Sequence, residues 1–274
     1  MSQESLTESG FYWREHGELK MLVCRALEDA GFANGFSTRL GGVSPMPEND
    51  LNLAGFGEDS DENIYENRRR FLTMFDGDYS LATVWQVHGD NVKLAKTPAD
   101  AANSEEKSDA LASDLPGILA GVKTADCVPV LIGDTKTKAF AAVHAGWRGT
   151  AQSIVSKTIA RMKEVYSVSP ENLFAAIGPA AGRRRYEVGQ DVIDAFTENF
   201  STSGKYFDAS RDGHALIDLH LANKDQLIDS GISAESIFTA PFCTIERTEL
   251  FFSYRVEKKK YGKTGRLLSV IGRK

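Results

Sequence analysis

The sequence predicts a mixed α/β protein whose sheets are covered by helices. Three observations support this fold class. The chain has 274 residues, 42% of them hydrophobic and 26% charged, which is enough to bury a sizeable core. Segments with helical and with strand-like periodicity alternate along it. No repeat of roughly 20–50 residues and no convincing linker interrupts them, so we expect 1–274 to form one domain.

The N-terminal quarter is predicted to contain two helices. Residues 1–35 are predicted as an N-terminal helix and a lead-in strand, because residues 17–32 carry apolar side chains at helical spacing. This pattern reaches Gly31, a typical helix stop. Residues 59–75 have carboxylates in their first turn and arginines later, as the helix dipole favours.

The middle of the chain is predicted to form buried strands. Two β-rich runs, 81–87 and 91–95, flank His88 and predict a tight hairpin or a bend there. Residues 97–114 are small, polar and acidic and predict a surface loop. Three apolar runs follow, which predict three neighbouring buried strands: 117–123, 127–134 and 139–145.

The second half of the chain continues the alternation. Residues 150–166 place their apolar side chains broadly on one face, which predicts a helix packed on a sheet. The remaining segments predict a strand, two helices and a closing β-rich segment, in the order 172–180, 190–200, 217–231 and 251–272.

Composition excludes several classes of protein. The formal net charge is −6 and no long basic block occurs, so we expect no nucleic-acid partner. No apolar stretch approaches the roughly 20 residues that span a bilayer, and the first residues lack a signal-peptide pattern. Three cysteines provide no disulfide framework. We therefore expect a soluble, cytoplasmic protein without a membrane partner, and the oligomeric state stays open.

Three soft-metal ligands, His88, Cys127 and His144, stand in or at the ends of short apolar runs. Zinc held by two histidines and one cysteine keeps a fourth position open, and open positions are typical of catalytic sites where the pKa of water falls to about 7. Only a fold can unite residues so far apart in sequence. The alternatives are an inert core thiol and ordinary turn histidines.

An anion site is predicted beside these ligands. A strand ending at His144, a glycine turn and a helix follow one another, so Gly146 and Arg148 lie where backbone N–H groups attract phosphate or an oxyanion. Arg39 also stands near glycines. Both arginines have an alternative as solvated surface charges. Asp126 is a candidate proton carrier or orienting group, although strand alternation points it to the opposite face.

A series of motifs occurs in order along the chain: FSTRLGGVS, LNLAGFGED, WQVHGDNV, TADCVPVLIGD, VHAGWRGT, YEVG, IDLHLANKDQL and FFSYR…KTGR. With these motifs the chain resembles the multicopper polyphenol oxidase, or laccase-domain, family, also called YfiH-like, over about residues 36–271. The resemblance implies a single-domain, four-layer α/β/β/α fold with mixed sheets. It also implies zinc bound by His88, Cys127 and His144.

The activity implied by the resemblance is chemistry on purine nucleosides. Family members are described as phosphorylases of adenosine, guanosine, inosine and methylthioadenosine, and as adenosine deaminases. A zinc-bound water would then attack the purine C6 in deamination, while Arg148 and Arg39 would bind phosphate. This interpretation makes His88, Cys127, His144 and Asp126 the catalytic set.

One segment departs from the family. Members commonly carry a cysteine pair before the Tyr-Glu-Val sequence, where this chain has Arg184 and Arg185. These arginines would change substrate preference if the segment lines the cavity. The alternative is ordinary surface charge.

Three other functions stay open. A copper polyphenol oxidase is disfavoured because five histidines are too few for a multicopper cluster besides one mononuclear site. A free Cys127 activated by His144 suits an amidase, and the resemblance extends to family members that are described as editing peptidoglycan precursors. A non-enzymatic zinc module requires a fourth protein ligand, which Cys24, Cys243 or His214 would have to supply.

Overall fold

Helices and strands alternate throughout the computed structural model, which describes residues 3–45, 48–55 and 59–274. The helices are α1 (Gln3–Glu8), α2 (Arg25–Asp29), α3 (Asp61–Leu72), α4 (Pro98–Ala102), α5 (Trp147–Ala151), α6 (Ile154–Tyr166), α7 (Gln190–Asn199), α8 (Leu219–Asp229) and α9 (Tyr254–Tyr261). Short 3-10 helices span Pro170–Asn172, Ser203–Tyr206 and Ala234–Ser236.

The strands form two six-stranded mixed sheets and one three-stranded sheet. They are β1 (Phe11–His16), β2 (Leu19–Cys24), β3 (Ala33–Ser37), β4 (Ser80–Ala82), β5 (Val92–Ala95), β6 (Ala110–Ser113), β7 (Ile118–Thr124), β8 (Val128–Asp134), β9 (Phe140–Ala145), β10 (Leu173–Ile177), β11 (Glu187–Gly189), β12 (Phe207–Ala209), β13 (His214–Ile217), β14 (Ile237–Thr239) and β15 (Leu267–Arg273). The first sheet has the order β1-β2-β3-β15-β7-β4, the second β14-β10-β8-β9-β6-β5, and the third β11-β13-β12.

The two large sheets pack face to face, with helices on their outer faces. Along β8, Leu131 points into the cluster between the sheets, while Val130 and Ile132 point into the cluster beneath α6 and α8. The outer face of the first sheet packs against α3 through Phe71. Because every layer buries apolar side chains, the four-layer α/β/β/α prediction with mixed sheets is confirmed.

The helix predicted over residues 17–32, within the N-terminal segment 1–35, is wrong. Residues 17–32 form strand β2 and the short helix α2, and β2 pairs antiparallel with β1. Both faces of β2 are buried, Met21 and Val23 against α3 and Leu22 between the sheets. A strand buried on both faces is a continuous apolar run, which helical spacing also fits. The helix stop at Gly31 is confirmed, with φ 89° after α2.

Of the two alternatives predicted at His88, the structure has the bend and not the hairpin. Strand β4 pairs parallel with β7 in the first sheet, and β5 pairs parallel with β6 in the second. His88 therefore lies where the chain crosses between sheets. Strands β7, β8 and β9 were predicted to be neighbours, but β7 lies in the first sheet and β8 and β9 lie in the second. Periodicity identifies a strand but not the sheet it joins.

Two further segments contain structure that the sequence interpretation missed. The predicted loop 97–114 contains α4 and the buried strand β6, whose small side chains resemble loop composition. The closing β-rich segment contains α9, which begins after its N-cap Ser253 and ends at Gly262. The predicted helices at 59–75, 190–200 and 217–231 are confirmed as α3, α7 and α8.

The predicted helix over 150–166 is confirmed as α6, with a break before it. Ser153 adopts a left-handed conformation, so α5 and α6 are separate helices. No helix of the described residues is long and apolar enough to cross a bilayer.

Candidate metal centre and cavity

The strand ladder places two of the three predicted ligands side by side. His144 lies on β9 opposite Pro129 of β8, and Cys127 directly precedes β8. The third ligand, His88, arrives on the crossing between the sheets with φ 60°. Residues remote in sequence therefore meet at one end of the second sheet.

The ligand atoms of His88, Cys127 and His144 all lie within 4.8 Å of one another. The two imidazole rings are 4.9 Å apart between centroids and nearly perpendicular, at 81°. Zinc bonds of about 2.0–2.3 Å in a tetrahedron require ligand atoms roughly 3.4–3.8 Å apart. The donor set therefore fits a tetrahedral metal ion that the protein holds by three ligands, and the ligand atoms would have to approach one another by up to about 1 Å to reach this spacing.

A carboxylate that the sequence interpretation missed, Asp109, fixes both histidines. Its Oδ1 lies 2.7 Å from His144 Nδ1, which leaves Nε2 of that ring for a metal. The same carboxylate accepts the backbone N–H groups of Val87, His88 and Gly89 at 3.2, 2.9 and 2.7 Å. One side chain thus orients a ligand on β9 and the backbone that carries the other histidine.

The electrostatics favour a thiolate. Burial alone raises the pKa of Cys127, but the charge of His144 and hydrogen bonds from both imidazoles lower it to about 6. Burial likewise lowers the pKa of His144, yet the thiolate and Asp109 raise it to about 9. Burial raises the pKa of Asp109, while His144 and the backbone amides bring it below its ordinary value. Without metal the group is therefore a thiolate–imidazolium pair backed by a carboxylate.

Gly146 provides the space in which the ligands meet. A Cβ at this position would lie 3.1 Å from Cys127 Sγ, 3.3 Å from His88 Cδ2 and 3.9 Å from His144 Cε1. Its φ of −67° is open to any residue, so volume and not conformation favours glycine here. Gly146 was predicted as part of an anion-binding turn, and the structure places it against all three ligands.

A cavity of about 1030 Å³ opens over the ligands. His88, Cys127, His144 and Arg148 all line it. The wall also contains two carboxylates, Glu105 and Asp126, and a larger set of aromatic and cationic side chains: Trp85, Trp147, Tyr186, Tyr254, Arg68, Lys123, Arg255 and Arg266. An open metal position would thus face a large cavity with flat apolar surfaces and several positive charges.

Asp126 lies at the cavity wall, but its carboxylate is engaged in structure. It accepts hydrogen bonds from Thr244 Oγ1 at 2.6 Å, from Ser253 Oγ at 3.1 Å and from the backbone N–H of Arg255 at 2.7 Å. Its φ is 85°. These bonds fasten the residue before Cys127 to the start of α9, which agrees with an orienting group better than with a proton carrier.

Arg39 is not brought to the cavity. Its guanidinium is 7% exposed and forms ion pairs with Asp50 at 2.8 Å and Glu257 at 2.7 Å. Its Cζ lies 4.5 Å from the centre of the Phe252 ring. The residue therefore joins three segments of the core and does not line the cavity.

The other predicted alternatives also lie away from the ligands. Arg184 and Arg185 do not line the cavity, and Arg185 pairs with Glu246 on the surface. Among the described residues, no fourth histidine, cysteine or carboxylate joins the ligand group. Burial raises the pKa of Cys24 to about 11, Cys243 accepts the Gly182 N–H, and His214 contacts the Asp212 carbonyl.

Comparison with known proteins identifies the family to which the chain belongs. Residues 33–274 match the family model described as multi-copper polyphenol oxidoreductase laccase. The chain is 36% identical to purine nucleoside phosphorylase YfiH of Escherichia coli (strain K12), covering 92% of this chain and 98% of that protein. It is 35% identical to purine nucleoside phosphorylase of Deinococcus radiodurans, covering 86% and 87%.

Solved structures are similar over almost the whole length. The hypothetical protein YfiH of Bacillus licheniformis superposes with a TM-score of 0.88 at 28% identity, covering 96% of this chain and 99% of that one. YlmD of Geobacillus stearothermophilus superposes with a TM-score of 0.87 at 29% identity, covering 96% and 98%. The chain belongs to the multi-copper polyphenol oxidoreductase laccase family.

Proposed function

We propose that this protein is a zinc-dependent purine nucleoside phosphorylase that also deaminates adenosine. The observation that carries the proposal is the convergence of His88, Cys127 and His144 on a cavity lined by arginines and aromatic rings. The names of the relatives, purine nucleoside phosphorylases, supply the reaction class. The substrates would be adenosine, inosine, guanosine or methylthioadenosine with phosphate, and the products the base and ribose 1-phosphate. Residues 1–274 would act as one domain.

We propose zinc rather than copper because of the ligands that the protein provides. Two imidazoles and a thiolate suit either metal, but a multicopper cluster requires further imidazoles, and His214 and His220 contact backbone carbonyls instead. When bound, zinc supplies Lewis acidity, which polarises a substrate atom and lowers the pKa of water. A reducing compartment preserves a thiolate ligand, so we propose a cytoplasmic location.

The protein's own residues would position the other reactant. Arg148 lies with its Cζ 4.1 Å from the Trp147 ring centre, beside the ligands and exposed to the cavity. Its planar fork of N–H donors suits phosphate. Phosphorolysis needs an anion held beneath the ribose while the glycosidic bond breaks, so binding and orientation carry that step. Because Arg39 is committed to two buried carboxylates, it is left out of the proposed phosphate site.

A cysteine amidase is the second candidate, because Cys127 with a pKa of about 6 beside His144 is an activated nucleophile. A thiolate that binds zinc is not free to attack carbon. Amide hydrolysis by free Cys127 therefore predicts activity that survives chelation and is lost to alkylation. Zinc-dependent turnover predicts loss under chelation and recovery on adding zinc.

The deciding experiment uses metal-analysed protein and adenosine, with and without phosphate, with adenine, inosine and hypoxanthine resolved by chromatography. We expect phosphate-dependent adenine and phosphate-independent inosine, each in proportion to bound zinc. His144→Ala should lose metal and both products together. Its control is His214→Ala, whose ring contacts only a backbone carbonyl outside the cavity.

Two outcomes would contradict the proposal. Turnover retained by metal-free His144→Ala would exclude a role for zinc. Copper in the purified protein together with phenol oxidation would favour the polyphenol oxidase alternative.

A further inference from the structure

We propose that Arg255 binds the same phosphate as Arg148, as a second anion-binding residue of the cavity. This inference rests on the proposed function and names the residue that takes the place expected of Arg39. Arg255 is the second residue of α9 and lines the cavity together with Cys127 and His144.

The backbone of Arg255 is fastened to the metal end of the cavity. Its N–H group donates to Asp126 Oδ2 at 2.7 Å, and Asp126 directly precedes Cys127. Thr244 and Ser253 hold the same carboxylate in place. The start of α9 is therefore fixed relative to the ligand strand β8.

The side chain of Arg255 is held in a defined orientation. Its Cζ lies 4.9 Å from the centre of the Tyr186 ring, and its Nη1 donates to the Glu187 carbonyl at 2.8 Å. A guanidinium has five N–H donors. The contacts with the Glu187 carbonyl and with Tyr186 use part of the fork and leave its other N–H donors for a ligand, at low cost in side-chain entropy.

Arg148 and Arg255 are a matched pair. Each guanidinium lies over an aromatic ring that lines the cavity, Trp147 for Arg148 and Tyr186 for Arg255. Both residues are exposed, and within the described residues neither forms an ion pair with a carboxylate. Two cations that come from α5 and α9 and face one cavity suit a small oxyanion better than a neutral ligand.

The backbone N–H groups near the start of α9 are already hydrogen-bonded and are not available to bind an anion. The N–H groups of the second, third and fourth residues of the helix already have acceptors: Arg255 N bonds to Asp126, Val256 N to Ser253 Oγ and Glu257 N to the Ser253 carbonyl. Arg255 can therefore bind an anion through its guanidinium but not through its backbone.

The test measures binding of inorganic phosphate to the zinc-loaded protein by isothermal titration calorimetry. We expect Arg255→Gln to weaken phosphate binding roughly 10- to 100-fold, as for loss of charge-assisted hydrogen bonds. Arg255→Lys should recover part of the loss, because the charge returns without the fork. The matched control is Arg185→Gln, which removes an equal charge outside the cavity.

Enzyme assays on the same variants separate binding from a structural effect. Arg255→Gln should raise the KM for phosphate while its zinc content stays at the wild-type value, and the control Arg185→Gln should change neither. The Asp126 contact survives in this variant because the backbone N–H provides it.

The inference is overturned if Arg255→Gln binds phosphate as tightly as the wild type. Normal phosphorolysis by Arg255→Gln would overturn it while the proposed function stands. Conversely, a wild type that binds phosphate through Arg255 but forms no adenine would remove the proposed function and keep the phosphate site.

Discussion

The carboxylate of Asp109 is the most informative position at which to perturb the metal centre. Asp109→Asn keeps the volume of the side chain and removes its charge. The wild-type carboxylate accepts three backbone N–H groups, from Val87, His88 and Gly89, and also holds His144 Nδ1. An amide in either orientation turns its NH2 group toward at least one of these N–H donors.

The magnitude follows from two separate effects. Loss of the partner that orients a metal-binding histidine costs about 10- to 100-fold in metal affinity, or about 1.4–2.7 kcal/mol. One backbone N–H left facing another donor costs about 1–3 kcal/mol of folding stability. Because Val87 and His88 are partly exposed to solvent, we expect the lower end of that range.

Competition with a chromophoric chelator measures the zinc affinity, and urea unfolding of metal-free protein measures the stability. The control is Asp90→Asn, in the same segment, whose carboxylate pairs with Lys157 and not with the ligands. The reasoning is refuted if Asp109→Asn binds zinc as tightly as Asp90→Asn does.

Two further predictions use buried positions. Gly146→Ala should weaken zinc binding, because the new Cβ would lie 3.1 Å from Cys127 Sγ and 3.3 Å from His88 Cδ2, and both ligands would have to shift by a few tenths of an ångström. Titration with a competing chelator measures the zinc affinity, and Gly204→Ala, which has open space around it, should bind zinc normally. Arg39→Met should lower the free energy of unfolding by about 3–5 kcal/mol in urea, because two buried carboxylates lose their counter-ion. The exposed Arg69→Met should cost less than about 1 kcal/mol, and an equal loss in both variants would contradict the argument.

The sequence predicted the fold class because alternation of side chains survives in most strands. Leu131 between Val130 and Ile132 faces a different layer from its neighbours. The pairing of strands was not predictable, since β4 and β5 are close in sequence but join different sheets. Strand β2 was misread because burial on both faces removes the alternation that distinguishes a strand from a helix.

The candidate site was predictable to the extent that its residue types are unusual. Two histidines and a cysteine in apolar runs indicate a metal, whereas Asp109 is one of 38 acidic residues and stands in a segment that resembles a loop. Arg39 and Arg255 both occur in family motifs, and nothing local distinguishes a buried ion pair from a cavity residue. The structure distinguishes the two residues, because Arg39 pairs with Glu257 in the core whereas Arg255, at the start of α9, lines the cavity.

The three ligands differ in how firmly the backbone holds them, and this bears on the speed of metal exchange. Cys127 and His144 are fixed by the ladder between β8 and β9. His88 instead lies on a connecting segment in a left-handed conformation and depends on Asp109 for its position. We therefore expect dissociation of the ion to begin with departure of the His88 ring. The rate of metal release would then depend on the connection between the sheets, whereas the affinity would depend on all three ligands.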